Sequence, residues 1–258
     1  MPVEIRVLDN PHPVDQNNVS RRLLLLFCLD VSGSMRKNVK DLEKGILRFI
    51  EDCYDHLETR KSCEIMIITF GESVNVIQQF DTVDCIVKNG LPQYNLNASG
   101  YTPIGESVRL GLELLDERWE ELKHLGFSRY IPCLVVMSDG YPEGSTPQVT
   151  AERMAVLDEV SQELAKRVIH KTLTTFSIGI GKYNNEKVMD KLSPGRKSVH
   201  LQSYADGRPK FDEFFSSLSS SLFYRPIVSS QRCVNQKTFE SCTESWENTN
   251  STINSQEN

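Results

Sequence analysis

Asp30, Ser32 and Ser34 alternate in the stretch "LDVSGSM", directly after an apolar run over residues 23–29. A second apolar run, 131–138, ends the same way in Asp139, within "MSDG". Between the two lies "NASGYTPIGES", which sets Thr102 before a proline. Two carboxylates and three hydroxyls, with no His or Cys among them, form a set of hard oxygen donors. Such a set selects Mg2+, Mn2+ or Ca2+ over zinc or copper. Two carboxylates balance the charge of one divalent ion. Five donors, some acting through water, leave a sixth position for an outside ligand. Taken singly, each piece has an ordinary reading: a polar turn, a helix cap, an Asp-Gly turn. Their meaning depends on the elements that carry them.

Short runs rich in Ile, Leu, Val and Phe appear at 23–31, 64–70, 131–138 and 173–180. Segments of helical period separate them. Val39, Leu42, Ile46, Phe49, Cys53 and Leu57 recur at three- and four-residue steps, as do Ile104, Val108, Gly111, Leu115, Trp119 and Leu122. Met154, Leu157, Val160, Leu164 and Val168 repeat the pattern. Strand then helix, repeated, predicts a doubly wound α/β fold with helices on both faces of a mostly parallel six-stranded sheet. The short "GES" between 64–70 and 74–80 predicts a hairpin, with the later strand antiparallel at an edge. A strand near 198–203 and a helix near 210–222 complete the unit. In such sheets ligands bind at the carboxyl ends of strands, where the winding direction reverses. If the strands ending in Asp30 and Asp139 are neighbours there, all five oxygens meet. Gly45 and Gly111 inside helices are read as points of close helix packing.

The 258 residues, 39% hydrophobic and 25% charged, suit one large domain or two small ones. A net charge of −6 offers no basic face for nucleic acid. No window approaches the ~20 apolar residues of a membrane span. The first residues, "MPVEIRVLDNPHPVDQNN", lack the basic and apolar parts of a signal peptide. The seven cysteines are odd in number without C-x-x-C spacing, and Cys28 and Cys133 fall inside apolar runs. A cytoplasmic protein is expected. Residues 1–20 read as an extended arm in which "VEIRVL" is able to pair as an edge strand. Residues 21–224 read as the domain, and 225–258 as a polar, disordered tail.

"DVSGSM", "SGYTPIGE" and "MSDG", in this order, resemble the metal-ion-dependent adhesion site (MIDAS) of von Willebrand factor type A (vWA) domains, over roughly residues 21–222. The resemblance implies that Ser32, Ser34 and Thr102 bind the metal directly, and Asp30 and Asp139 largely through waters. A carboxylate from a partner protein takes the sixth position. Met35, Arg36, Lys37, Tyr101, Tyr141 and Glu143 flank the site on its three loops and form the expected partner-binding rim. The Thr-Pro-Ile-Gly-Glu stretch is similar to bacterial cytoplasmic vWA proteins of the tellurite-resistance type. Those are encoded beside a PP2C-like phosphatase and a protein kinase, in stress-response and suspected phage-defence clusters. What the resemblance implies is a non-enzymatic, metal-dependent protein-interaction module with Mg2+ (or Mn2+ or Ca2+) as cofactor. Its implied partner is a protein kinase or PP2C-like phosphatase; neither nucleic acid nor membrane is expected. Two other readings compete. A phosphatase-like metal-dependent hydrolase is opposed by the lack of histidine in the three loops and of a G-x-S-x-G elbow, and "GIGK" is only a fragment of a P-loop. A scaffold with a vestigial metal site is opposed by the complete motif.

Overall fold

A computed structural model describes residues 3–7, 14, 18, 20–181 and 185–223. Its central strand, β2 (Leu23–Asp30), is buried along its whole length. Leu23, Leu25, Phe27 and Leu29 face one hydrophobic core, and Leu24, Leu26 and Cys28 the other. A strand covered on both faces has no polar side to present, hence the continuous apolar run. Parallel neighbours flank it: β3 (Cys63–Phe70) on one side, β5 (Cys133–Ser138) on the other. Beyond β5 come β6 (Thr174–Ile180) and β7 (Val199–Leu201), also parallel. Beyond β3 comes β4 (Val74–Thr82), antiparallel after the tight turn at 71–73.

Among the described residues the sheet has seven strands, not six, and β4 is not its edge. Strand β1 (Ile5–Arg6) pairs in parallel with β4, and Val74 N–H donates to the Glu4 carbonyl at 2.8 Å. Left bare, that flank of β4 would offer unpaired backbone groups to any passing chain. Part of the arm thus becomes a strand. Arm residues 1–2, 8–13, 15–17 and 19, and the whole of 225–258, lie outside the described residues.

Helices α1 (Val39–Asp55) and α7 (Phe211–Phe223) cover one face; α4 (Ile104–His124), α5 (Pro147–Ile169) and α6 (Glu186–Leu192) cover the other. The period expected to run on to Leu57 breaks at His56, whose backbone is extended, and a separate α2 (Leu57–Ser62) follows. Both α2 and α3 (Val83–Lys88) span fewer than two turns, too short for a periodicity to register. None of the described helices is long and apolar enough to cross a membrane.

Gly45 is a helix–helix contact: a Cβ there would stand 2.7 Å from Phe215 Cδ2 of α7. Gly111 is a helix–sheet contact instead, its Cβ position lying 2.7 Å from Leu26 Cδ2 of β2. Gly45→Ala gains up to ~1 kcal/mol of helix propensity. It also pushes on a Phe215 ring packed 5.9 Å from both Phe27 and Phe49. Overpacking of that kind costs about 1–3 kcal/mol. A net loss of about 1 kcal/mol is expected in urea unfolding; a more stable variant would mean that α7 does not press on α1 here.

Candidate metal centre

The site sits where the winding reverses. From β2 the chain builds outward through β3 and β4, then crosses back to place β5 on the other side of β2. Leu29 is in register with Met137, so Asp30 and Ser138 stand side by side at the carboxyl ends of their strands. Asp30 is fully buried. Its Oδ1 accepts the Ser32 N–H at 2.8 Å, and its Oδ2 accepts the Ser138 hydroxyl at 2.5 Å. The Ser32 and Ser34 hydroxyls are 2.9 Å apart, and Ser34 donates to Asp139 Oδ1 at 2.7 Å. Gly140 N–H donates to Ser138 Oγ at 3.1 Å.

Thr102 comes in from the loop that follows α3. Its Oγ1 lies 3.7 Å from where a Cβ on Gly140 would stand, and its N–H donates to the Glu143 carbonyl at 3.3 Å. Two further backbone bonds lace this loop to the one after β2: Gly33 N–H to Gly100 O at 3.1 Å, and Ser99 N–H to Val31 O at 2.9 Å. All five residues expected to converge are brought together. The detail at Thr102 differs from expectation. Pro103, not Thr102, is the residue flanking α4, and no side chain caps that helix start. Thr102 is therefore placed by its backbone, and its hydroxyl has no cap to make.

Burial dominates the electrostatics. It pushes the Asp30 carboxyl up from 3.8 to about 7, against the hydrogen bonds from Ser138 and Ser32 that favour the ionised form, with the Asp139 charge adding a small push upward. Asp139 is also raised, by burial, with Ser34 opposing. Among the described residues no Lys, Arg or His pairs with either carboxylate. Nor do three His, Cys, Asp or Glu side chains cluster anywhere among them. Two uncompensated carboxylates facing three hydroxyls fit a hard divalent cation in both donor type and charge.

Met35 is not a rim residue. The residues after Ser32 turn as a short 3-10 helix, Gly33–Lys37, which aims Met35 into the core under β2, fully buried, while Ser34, Arg36 and Lys37 face outward. Its thioether belongs to the fold. Tyr101 and Tyr141 are 45% and 38% exposed, and Glu143 is exposed. Ser138 went unassigned in the sequence. The signal was there in its hydroxyl, the lone polar group ending the run "CLVVMS", but only the register with β2 aims it at Asp30.

Residues 25–142 match the family model of the von Willebrand factor type A domain, a span holding all five oxygen-bearing residues. The vWF domain of the type V pili tip protein Mfa5 from Porphyromonas gingivalis superposes on 82% of this chain and 99% of its own, with a TM-score of 0.52 at 10% identity. This is a von Willebrand factor type A fold. Two longer proteins show the same fold likeness. A variant of the PilB minor pilin from Streptococcus sanguinis matches with a TM-score of 0.52 and 14% identity over 83% of this chain. The pilus adhesin SpaC from Lactobacillus rhamnosus GG, in an open conformation, matches with 0.53 and 13% over 78%. The chain spans 65% of that pilin and 30% of SpaC. No match was found among curated proteins. At these identities the likeness is one of vWA fold, and the site is argued from its own residues.

Proposed function

We propose that this vWA-fold chain is a non-enzymatic, metal-dependent protein-interaction module that engages an acidic side chain of a partner protein. The observation that carries the reading is the convergence of Asp30, Ser32, Ser34, Thr102 and Asp139 around one point, with no basic side chain among the described residues to neutralise them. Ser32, Ser34 and Thr102 would hold the ion directly, and Asp30 and Asp139 would balance its charge. When bound, Mg2+ (or Mn2+ or Ca2+) supplies a positive charge with a coordination position open to a partner carboxylate. Tyr101, Tyr141, Arg36, Lys37 and Glu143 then form the surface that the partner meets. The resemblance of the Thr102–Glu106 stretch to tellurite-resistance-type proteins supports a bacterial cytoplasmic setting. There the partner is a protein kinase or PP2C-like phosphatase of a stress-response or phage-defence system.

Titration calorimetry with Mn2+ and Mg2+ tests the first step. One ion per chain is expected, of modest affinity because a ligand is still to come. Thr102→Ala should weaken Mn2+ binding by at least about 10-fold, since a direct ligand is lost and outer-shell partners alone are worth about 10–100-fold. It should cost only about 1 kcal/mol of stability, since what is removed is one small buried group. Equal Mn2+ affinity in wild type, Thr102→Ala and Asp30→Ala would defeat the proposal. So would partner capture that persists unchanged in EDTA.

A further inference from the structure

Helix α5 sends one buried cation toward the metal centre from behind. Arg153 is only 7% exposed, deep for a guanidinium. Its Nη1 donates to the Glu143 carbonyl oxygen, the same oxygen that accepts the Thr102 N–H. Its guanidinium lies 6.0 Å from the centre of the Tyr101 ring, and its Nε faces Glu106 Oε1 at 3.9 Å. Arg153 therefore touches both loops that bring Thr102 and Asp139 to the site, and it stands on neither. The approach is possible because Gly105 lets α4 and α5 meet almost backbone to backbone: a Cβ there would stand 2.8 Å from Leu157 N.

The pair is poorly made as a stability device. Among the described residues Arg153 Nε and Glu106 Oε2 are both buried without a hydrogen-bond partner. Burial holds the Arg153 pKa down and the Glu106 pKa up, the directions expected of ions taken out of water and incompletely repaid by each other. Replacing such a pair with well-packed apolar residues is commonly neutral or stabilising. Its contacts give it a different role. Among the described residues the Thr102 hydroxyl makes no hydrogen bond, so Thr102 is aimed by its backbone, and the acceptor of its N–H is the oxygen that Arg153 grips.

We infer that Arg153, braced by Glu106, is a positioning residue for the metal centre: through the Glu143 carbonyl it locks the loop after β5 onto Thr102 and sets where the Thr102 hydroxyl stands. The inference rests on the metal-centre reading above. It concerns residues outside the five donors, and neither Arg153 nor Glu106 touches the cation in it.

The test compares wild type, the double variant Arg153→Met/Glu106→Leu, and Arg153→Lys. Three quantities are read: the urea midpoint, Mn2+ affinity by calorimetry, and amide exchange of the segment holding Thr102 in metal-free buffer. The double variant should unfold at a urea concentration equal to or above that of wild type. It should bind Mn2+ about 10-fold more weakly, the usual scale for outer-shell partners. Its Thr102 amide should exchange about 10-fold faster without metal. Arg153→Lys keeps one donor for the Glu143 carbonyl and should recover part of both losses. If the double variant does not fold, Arg153→Lys alone carries the test, with a threefold or greater loss of Mn2+ affinity expected. Wild-type affinity and exchange in the variants would overturn the positioning role while leaving the metal centre intact. A wild-type protein that binds no Mn2+ would overturn both.

Discussion

Asp30→Asn is expected to make the metal-free protein more stable at pH 8, by about 2–4 kcal/mol, while abolishing its response to Mg2+. The folded Asp30 carboxyl titrates at about 7 rather than 3.8, because burial disfavours its charge. A folded pKa above the unfolded value means that the native state holds the extra proton between about pH 4 and pH 7. The stabilisation this gives is complete below the unfolded value and is lost as pH rises through 7. At ~1.4 kcal/mol per decade the full loss is about 4 kcal/mol, an order-of-magnitude figure. Asparagine keeps the shape and carries no charge. Its carbonyl can accept the Ser32 N–H, and its amide can donate to Ser138 Oγ once that hydroxyl turns. Urea unfolding in EDTA at pH 5 and pH 8 should therefore show a gap that opens with pH in favour of the variant. Added Mg2+ should reverse the order, since only wild type gains stability from a ligand bound to the native state. Metal competes with the same proton, so wild-type Mg2+ affinity should fall up to tenfold per pH decade below about 7. A variant no more stable than wild type at pH 8 in EDTA would mean that Asp30 is not a buried, uncompensated charge.

Fold and site were legible to different depths. β2 and β5 announced themselves because strands buried on both faces are continuous apolar runs, and helices α1, α4 and α5 because each lays one apolar stripe on the sheet. Strand β1 was legible in "VEIRVL" as a segment able to pair at an edge, but two exposed residues carry no pattern that fixes the partner; the bare flank of β4 gives them their place. Asp30, Ser32, Ser34, Thr102 and Asp139 were readable as a set, since donor type and order survive in one dimension. Met35 was misplaced because loop neighbours of a site look alike in sequence, whereas a 3-10 turn puts one residue in three under the strand. Ser138 and Arg153 act through a register and a helix–helix approach, and neither exists before the chain folds.

Gly100→Ala should cost about 3 kcal/mol and lower Mn2+ affinity at least as far as Thr102→Ala does. Gly100 has φ +73°, where an L side chain loses about 1–2 kcal/mol. Its Cβ would also stand 2.3 Å from Glu72 Cα and 2.4 Å from Glu72 N in the β3–β4 turn. Those are backbone atoms, so no rotamer relieves the clash; the loop or the turn must move, which adds about 1–2 kcal/mol of strain. From the other side Gly71 is as tight, its Cβ position lying 2.6 Å from the Ser99 carbonyl oxygen. Two residues beyond Gly100 sits Thr102, and Gly100 O accepts the Gly33 N–H between the two Ser-bearing positions after Asp30. A shift at Gly100 therefore moves Thr102 against Ser32 and Ser34, and the donors lose their common focus. Gly90 supplies the control, because it has φ +97° but nothing within 4 Å of its Cβ position. Gly90→Ala should show the backbone penalty alone, about 1–2 kcal/mol, with unchanged Mn2+ affinity. Equal stability losses in the two variants, or full Mn2+ affinity in Gly100→Ala, would show that the turn after β3 does not hold the Thr102 loop in place.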